Sequence, residues 1–192
     1  MSDYKYFILN KPYGVLSQFT DKSGRKTLAG CFNFPPNVYP VGRLDMDSEG
    51  LLLLTNDKEL TDRLLNPEMK VEKEYWVQVE GIPSEDELDK LREGVEIEGR
   101  KTLPASVEVF SPLNIPHRNP PIRFRKNIPD SWLKIIINEG RYRQVRKMTA
   151  KAGHPTLRLI RVRIKNILLG ELNSGSVREL TVNEIRELKQ QP

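Results

Sequence analysis

Gly42 to Asn56, GRLDMDSEGLLLLTN, is the stretch whose reading decides this chain. Leu51 to Leu54 form an apolar run without alternation, which predicts a strand buried on both faces. Asp45, Asp47 and Glu49 precede it in an irregular, charged segment fenced by Gly42-Arg43 and Gly50. A rigid buried strand beside a charged loop is how proteins hold a reactive group steady. An acidic loop in isolation is more often solvated surface. Calcium is the sharper alternative, because Asp45-x-Asp47-x-Glu49-Gly50 mimics the opening of an EF-hand loop. That loop needs a bidentate Glu at its twelfth position, where Asn56 stands, and flanking helices where a strand is expected.

Working outward, Tyr6 to Asn10 predicts a first strand stopped by Pro12 and Gly14, and Pro35-Pro36 and Pro40 punctuate a loop. Thr55-Asn56-Asp57 offers an N-cap for a helix over Lys58 to Leu65, ended near Pro67. Glu74 to Val79 is rich in strand formers. Ser84-Glu85-Asp86-Glu87 opens a second helix with acids in its first turn, ended at Gly94. Further strands are expected over Ala105 to Phe110, Trp132 to Asn138 and Leu157 to Ile164, with a helix over Gln144 to Ala152. Ser111 to Asp130 holds five prolines and predicts a long basic surface loop, of a length that is usually functional. The elements interleave without the regular repeat of a Rossmann domain. The fold class is therefore α+β, a mixed, largely antiparallel sheet with helices packed on it. The polar end, Lys189 to Pro192, is expected to fray.

At 192 residues the chain suits one domain, with room for two lobes and a sizeable core. It has no run of eighteen apolar residues, so no membrane span is expected. The N-terminus lacks a signal peptide's basic start and long apolar region, which points to the cytoplasm. Cys31 is alone, and His117 and His154 are the only histidines, so zinc, thiol and Ser-His-Asp chemistry have little raw material. The net charge of +5 is lopsided: Ile115 to Lys165 holds 14 Lys or Arg against two acids, leaving 17 bases and 24 acids elsewhere. Such asymmetry marks a footprint for a polyanion. Phe124, Trp132 and Tyr142 lie among those charges as faces on which unpaired bases can stack. No amphipathic basic helix of useful length favours a membrane surface instead.

Four further segments accompany GRLD-x-x-S-x-GLLLLTND: Asn10-Lys11-Pro12-Tyr13-Gly14-Val15, Lys73-Glu74-Tyr75, Glu139-Gly140-Arg141-Tyr142-Arg143-Gln144-Val145-Arg146-Lys147-Met148, and Leu157 to Arg163. In kind and order they resemble the motifs of the RsuA-type pseudouridine synthases that act on ribosomal RNA. Within that family the chain is most similar to the branch acting on the large subunit, whose members share a stretch like RNPPIRFRK. The resemblance covers nearly the whole chain. It implies the pseudouridine synthase fold, two lobes flanking an active-site cleft, as a single catalytic domain over residues 1–192. It also implies a monomer whose partner is ribosomal RNA, the 23S RNA or a pre-ribosomal particle. Most RsuA-type relatives carry a small RNA-binding domain ahead of the first motif. Here that motif begins at Asn10, so RNA selection is expected to fall to the catalytic domain and its basic loop, through Arg123, Arg125 and Lys126.

Isomerising uridine to its C-glycoside breaks the bond from base to sugar, turns the base and rejoins it through carbon. No atom is gained or lost, so no cofactor, metal or ATP is required. A carboxylate can act as nucleophile or base. It must stay ionised where water is excluded, and desolvation favours the neutral acid, so a permanent cation is needed beside it. Arg suits, being always charged and able to grip both oxygens. The resemblance makes Asp45 the catalytic residue, Arg146 its cation and Tyr75 the ring over the target base. Arg143 and Lys147 would then hold phosphates, Arg43 the displaced base or neighbouring backbone, and Leu159 an apolar wall. The uridine must also leave its stack, at a cost of about a few kcal/mol. A non-enzymatic RNA binder, such as a ribosome assembly factor, is the competing reading. The two part at Asp45, a liability for a binder and a requirement for the enzyme. A nuclease is a poor third, since the histidines lack flanking partners.

Overall fold

The computed structural model describes residues 4–113, 115–122 and 128–190. The chain divides into two compact units, Met1–Val71 with Arg161–Pro192, and Glu72–Ile160. Following the chain, the first unit begins with strands β1 (Tyr6–Lys11), β2 (Tyr39–Pro40) and β3 (Glu49–Thr55) and helix α1 (Lys58–Leu65). The second contains β4 (Lys73–Glu80), α2 (Glu85–Glu93), β5 (Glu96–Ile97), β6 (Arg100–Lys101), β7 (Ser106–Phe110), β8 (Asp130–Ile137) and α3 (Gln144–Lys151). Strand β9 (Thr156–Ile164) carries the chain back, and β10 (Ile167–Leu168), β11 (Val177–Glu179) and α4 (Val182–Lys189) complete the first unit.

In the first unit β1 pairs antiparallel with β3 on one side and β11 on the other. Every residue of β3 is buried, as a leucine run without alternation requires. Its two faces are covered differently. Leu51 and Leu53 pack in a cluster with Tyr6 and Ile8, under Leu60 and Leu64 of α1 and Leu188 of α4. Leu54 stands opposite Phe7, whose ring meets Phe32 and Phe34 with centroids 6.1 and 5.7 Å away. Each fully buried leucine contributes about 2–3 kcal/mol of transfer free energy.

In the second unit β8 lies between β4 and β7, all antiparallel. Tyr75, Ile135 and Val107 stand in register and are buried, as are Leu88 and Leu91 of α2 and Met148 of α3. The opposite face is more open, with the Trp76 and Phe110 rings 5.4 Å apart and a Lys134–Glu108 ion pair. The expected α+β class and largely antiparallel sheet are what the structure contains.

Three expectations need correction. Strand β3 starts at Glu49, two residues before the leucines, so Glu49 and Gly50 belong to it and not to the loop. Residues 166–188, given no element above, form β10, β11 and α4. Lys189 does not fray: it ends α4, its Nζ is 2.8 Å from Asp57 Oδ2, and it lies over the Tyr4 and Tyr6 rings. Gln191 and Pro192 fall outside the described residues.

Candidate active site

Asp45 sits half-buried in the segment between β2 and β3, and both its neighbours are held by their backbones. Ser17 Oγ donates to Leu44 O at 2.7 Å and accepts from Leu44 N at 3.0 Å. Gly14 N donates to Met46 O at 2.7 Å, and Ser48 N to Asp45 O at 3.0 Å. Gly14 has φ +79°, a conformation that costs a side-chain-bearing residue about 1–2 kcal/mol. The NKPYGV turn therefore grips the Asp45 loop from outside it.

Lys11 fixes that turn. Its ammonium donates to Val15 O at 2.7 Å and Pro12 O at 2.9 Å, and the residue has no exposed surface. Burial pulls its pKa down to about 8, against the attraction of Glu49, Cys31, Asp47 and Asp45. On the strand side, Gly50 (φ +100°) lies so near β9 that an added Cβ would stand 2.2 Å from Arg161 O. Arg161, also buried, donates Nε to Leu51 O at 2.8 Å. Glycine at position 50 is thus required by space as well as by dihedral angle. Ser17 carries no sequence signal of its role; Lys11 and Arg161 carry only their places in the first and last motifs.

Arg43 is exposed in the same segment of the first unit. The other described candidates belong to the second. Tyr75 (7 % exposed) is on β4 and Leu159 (6 % exposed) on β9. Arg143 is the N-cap of α3 in a left-handed conformation, φ 52°, and such strain in a residue other than glycine clusters at functional sites. Three and four residues on, Arg146 and Lys147 lie on the same side of the helix. Arg146 Nη1 donates to Thr156 O at 3.5 Å. Lys147 Nζ meets Glu98 Oε1 at 2.5 Å and lies 4.8 Å from the centre of the exposed Tyr142 ring. Gln144 organises the turn before α3, donating to Glu139 Oε1 at 2.6 Å and accepting from Arg141 N at 3.0 Å. Arg141 in turn donates to Ile97 O and Arg100 O, tying the β5–β6 hairpin to that turn. Arg123, Arg125 and Lys126 lie outside the described residues. Among the described residues no group of three or more His, Cys, Asp or Glu side chains has the arrangement of a metal site. No described helix is long and apolar enough to cross a membrane.

A loop held on both sides of Asp45 thus stands in a chain whose second half is strongly basic. The family profile of RNA pseudouridylate synthases matches residues 5–151. The chain belongs to this family. It is an RNA pseudouridine synthase, and a ribosomal large subunit pseudouridine synthase E from Vibrio parahaemolyticus is 54 % identical to it over 180 residues, 94 % of this chain and 75 % of the relative. The protein of the same name from Xanthomonas axonopodis pv. citri is 55 % identical over 160 residues, 82 % of this chain and 84 % of the relative. A crystal structure of a pseudouridylate synthase superposes with a TM-score of 0.82 at 31 % identity, covering 98 % of this chain and 75 % of the other.

Proposed function

We propose that this synthase isomerises one uridine of large-subunit (23S) ribosomal RNA, with Asp45 as its catalytic carboxylate and no cofactor. The observation that carries the reading is the two-sided clamp on the Asp45 loop, Ser17 on Leu44 and Gly14 on Met46. A carboxylate that must meet one atom of a flipped nucleotide gains rate from being held in place beforehand. The relatives' name, ribosomal large subunit pseudouridine synthase E, supports ribosomal RNA as the substrate.

In the reaction the N1–C1′ bond of uridine breaks, C5 bonds to C1′, and the C5 proton leaves as N1 regains one. Asp45 acts as nucleophile or base, Arg146 keeps it ionised, and Tyr75 faces the uracil. Leu159 walls the pocket, Arg43 meets the displaced base or neighbouring backbone, and Arg143 and Lys147 hold phosphates, joined by Arg123, Arg125 and Lys126. The enzyme works as a monomer in the cytoplasm, and residues 1–192 act as one catalytic domain.

The test is single-turnover pseudouridine formation on ribosomal RNA. Asp45→Asn should abolish it while RNA affinity stays within about twofold, because phosphate contacts dominate binding. Arg146→Ala, which strips the carboxylate of its cation, should also stop chemistry, and Arg146→Lys should keep part of it. Arg143→Ala should chiefly raise the RNA concentration needed. Turnover by Asp45→Asn removes Asp45 from its role, and loss of chemistry in Arg143→Ala but not Arg146→Ala exchanges the two arginines.

A further inference from the structure

The second unit contains a cavity of about 290 Å³ that neither Tyr75, Arg146 nor Leu159 lines. From the sheet it is walled by Gln78 of β4, by Trp132, which stands opposite Gln78 on β8, and by the buried Arg158 of β9. From the proline-rich segment it is walled by His117, Arg118 and Pro121, among others. Tyr75 and Gln78 are three residues apart on one strand, so their side chains leave opposite faces. A base lying on Tyr75 therefore does not occupy this space.

The proline-rich wall is built into place. Arg118 donates Nε to Pro120 O at 2.8 Å, Nη2 to Pro121 O at 3.2 Å and Nη1 to Leu157 O at 3.4 Å. Arg158 donates Nη1 to Pro116 O at 2.8 Å. Two permanent charges thus lock the segment onto the chain at β9 and remain in the cavity wall. The space between this segment and Trp132 is open to solvent, so a ligand can reach the indole. Gln78 spends its amide nitrogen on Asp130 Oδ2 at 3.1 Å, which leaves a carbonyl oxygen to accept a hydrogen bond from a ligand.

An indole face, two guanidiniums and a fixed amide are the chemistry that recognises an unpaired nucleotide. The volume is at the small end of ligand pockets, roughly 300–1,000 Å³, and suits one base rather than a stacked run. Apart from Gln78, the residues lining the cavity belong to the stretch Ile115 to Lys165, which holds 14 bases and two acids and suits an anionic guest. We infer that it binds one unpaired nucleotide of the substrate RNA other than the target uridine, base on Trp132 and phosphate toward Arg118 and Arg158. This rests on the RNA reading above and adds a second point of attachment to it.

Trp76→Phe leaves Trp132 as the sole tryptophan of the full chain, and its emission is followed while a short single-stranded oligouridylate or ribosomal RNA is added. Saturable quenching by both is expected. Trp132→Leu should raise the half-saturating RNA concentration about tenfold while the single-turnover rate at saturating RNA stays within about twofold. Gln78→Leu, which keeps the indole, should raise it by a smaller factor. If Trp132 emission is unchanged by RNA that the enzyme still converts, the cavity is not a nucleotide site and the catalytic reading stands. If Trp132 is quenched but no pseudouridine forms, the catalytic reading falls and the site survives.

Discussion

Lys11 has no exposed surface, yet it carries a charge beside the Asp45 loop. Its pKa falls from 10.5 to about 8, chiefly through burial. Between those values the unfolded chain holds a proton that the native protein has released, so stability rises with pH across the window. Below pH 8 the buried ammonium is a cost of about 3 kcal/mol. Lys11→Met removes that titration but leaves Pro12 O and Val15 O without their donor, about 1–3 kcal/mol for each buried group. Urea unfolding at pH 7.5 and pH 10 should show the wild type gaining about 2–3 kcal/mol on the variant. A constant gap would mean that Lys11 titrates as an ordinary lysine. At this scale the sequence is legible where packing restricts residue type, as in the leucines of β3. It is silent on Ser17, because a serine 27 positions from Leu44 looks like any other until the fold brings them together.

Among the elements, those with a strong local signal are read within a residue or two: β3 by its apolar run, α1 by Asp57, whose carboxylate accepts from Leu60 N, and α2 by the Ser84–Glu87 capping box. The β5–β6 hairpin escapes notice because each strand has two residues, too few for any periodicity. Helix α4 presents only Ile185 and Leu188 as an apolar stripe, since Val182 is 81 % exposed, although Thr181-x-x-Glu184 is a start signal visible in the sequence. Glu184 does more than cap. Arg178 grips both its oxygens at 2.9 and 2.7 Å, and that grip, helped by Thr181, lowers its pKa to about 2. The resulting stability is full above the ordinary carboxylate value near 4.5 and is lost as pH falls toward 2. Glu184→Gln should cost about 1 kcal/mol at pH 7 after allowance for solvent screening, and almost nothing near pH 2. Thermal melts of both proteins at pH 7 and pH 2.5 measure this, and a gap that widens in acid would contradict it.

Across the whole molecule, charge is divided along the sequence: 14 bases against two acids between Ile115 and Lys165, and an acidic remainder. Binding to a polyanion through the basic stretch should weaken steeply with salt. Neutralising Arg123, Arg125 and Lys126 together should lower the log–log salt slope by about 0.7–0.9 for each phosphate these side chains had neutralised, with little change in melting temperature. Filter binding at several salt concentrations would reveal an unchanged slope if those side chains touch no phosphate. The division into units has a separate consequence, for synthesis. Residues 72–160 form a continuous unit, complete once they leave the ribosome. The first unit is not: β1 needs β11 beside it, and Leu51 and Leu53 need Leu188 of α4. A growing chain therefore carries the aliphatic face of β1 and β3 incompletely covered until β11 and α4 have been translated. That interval, rather than the finished enzyme, is when it most depends on chaperones.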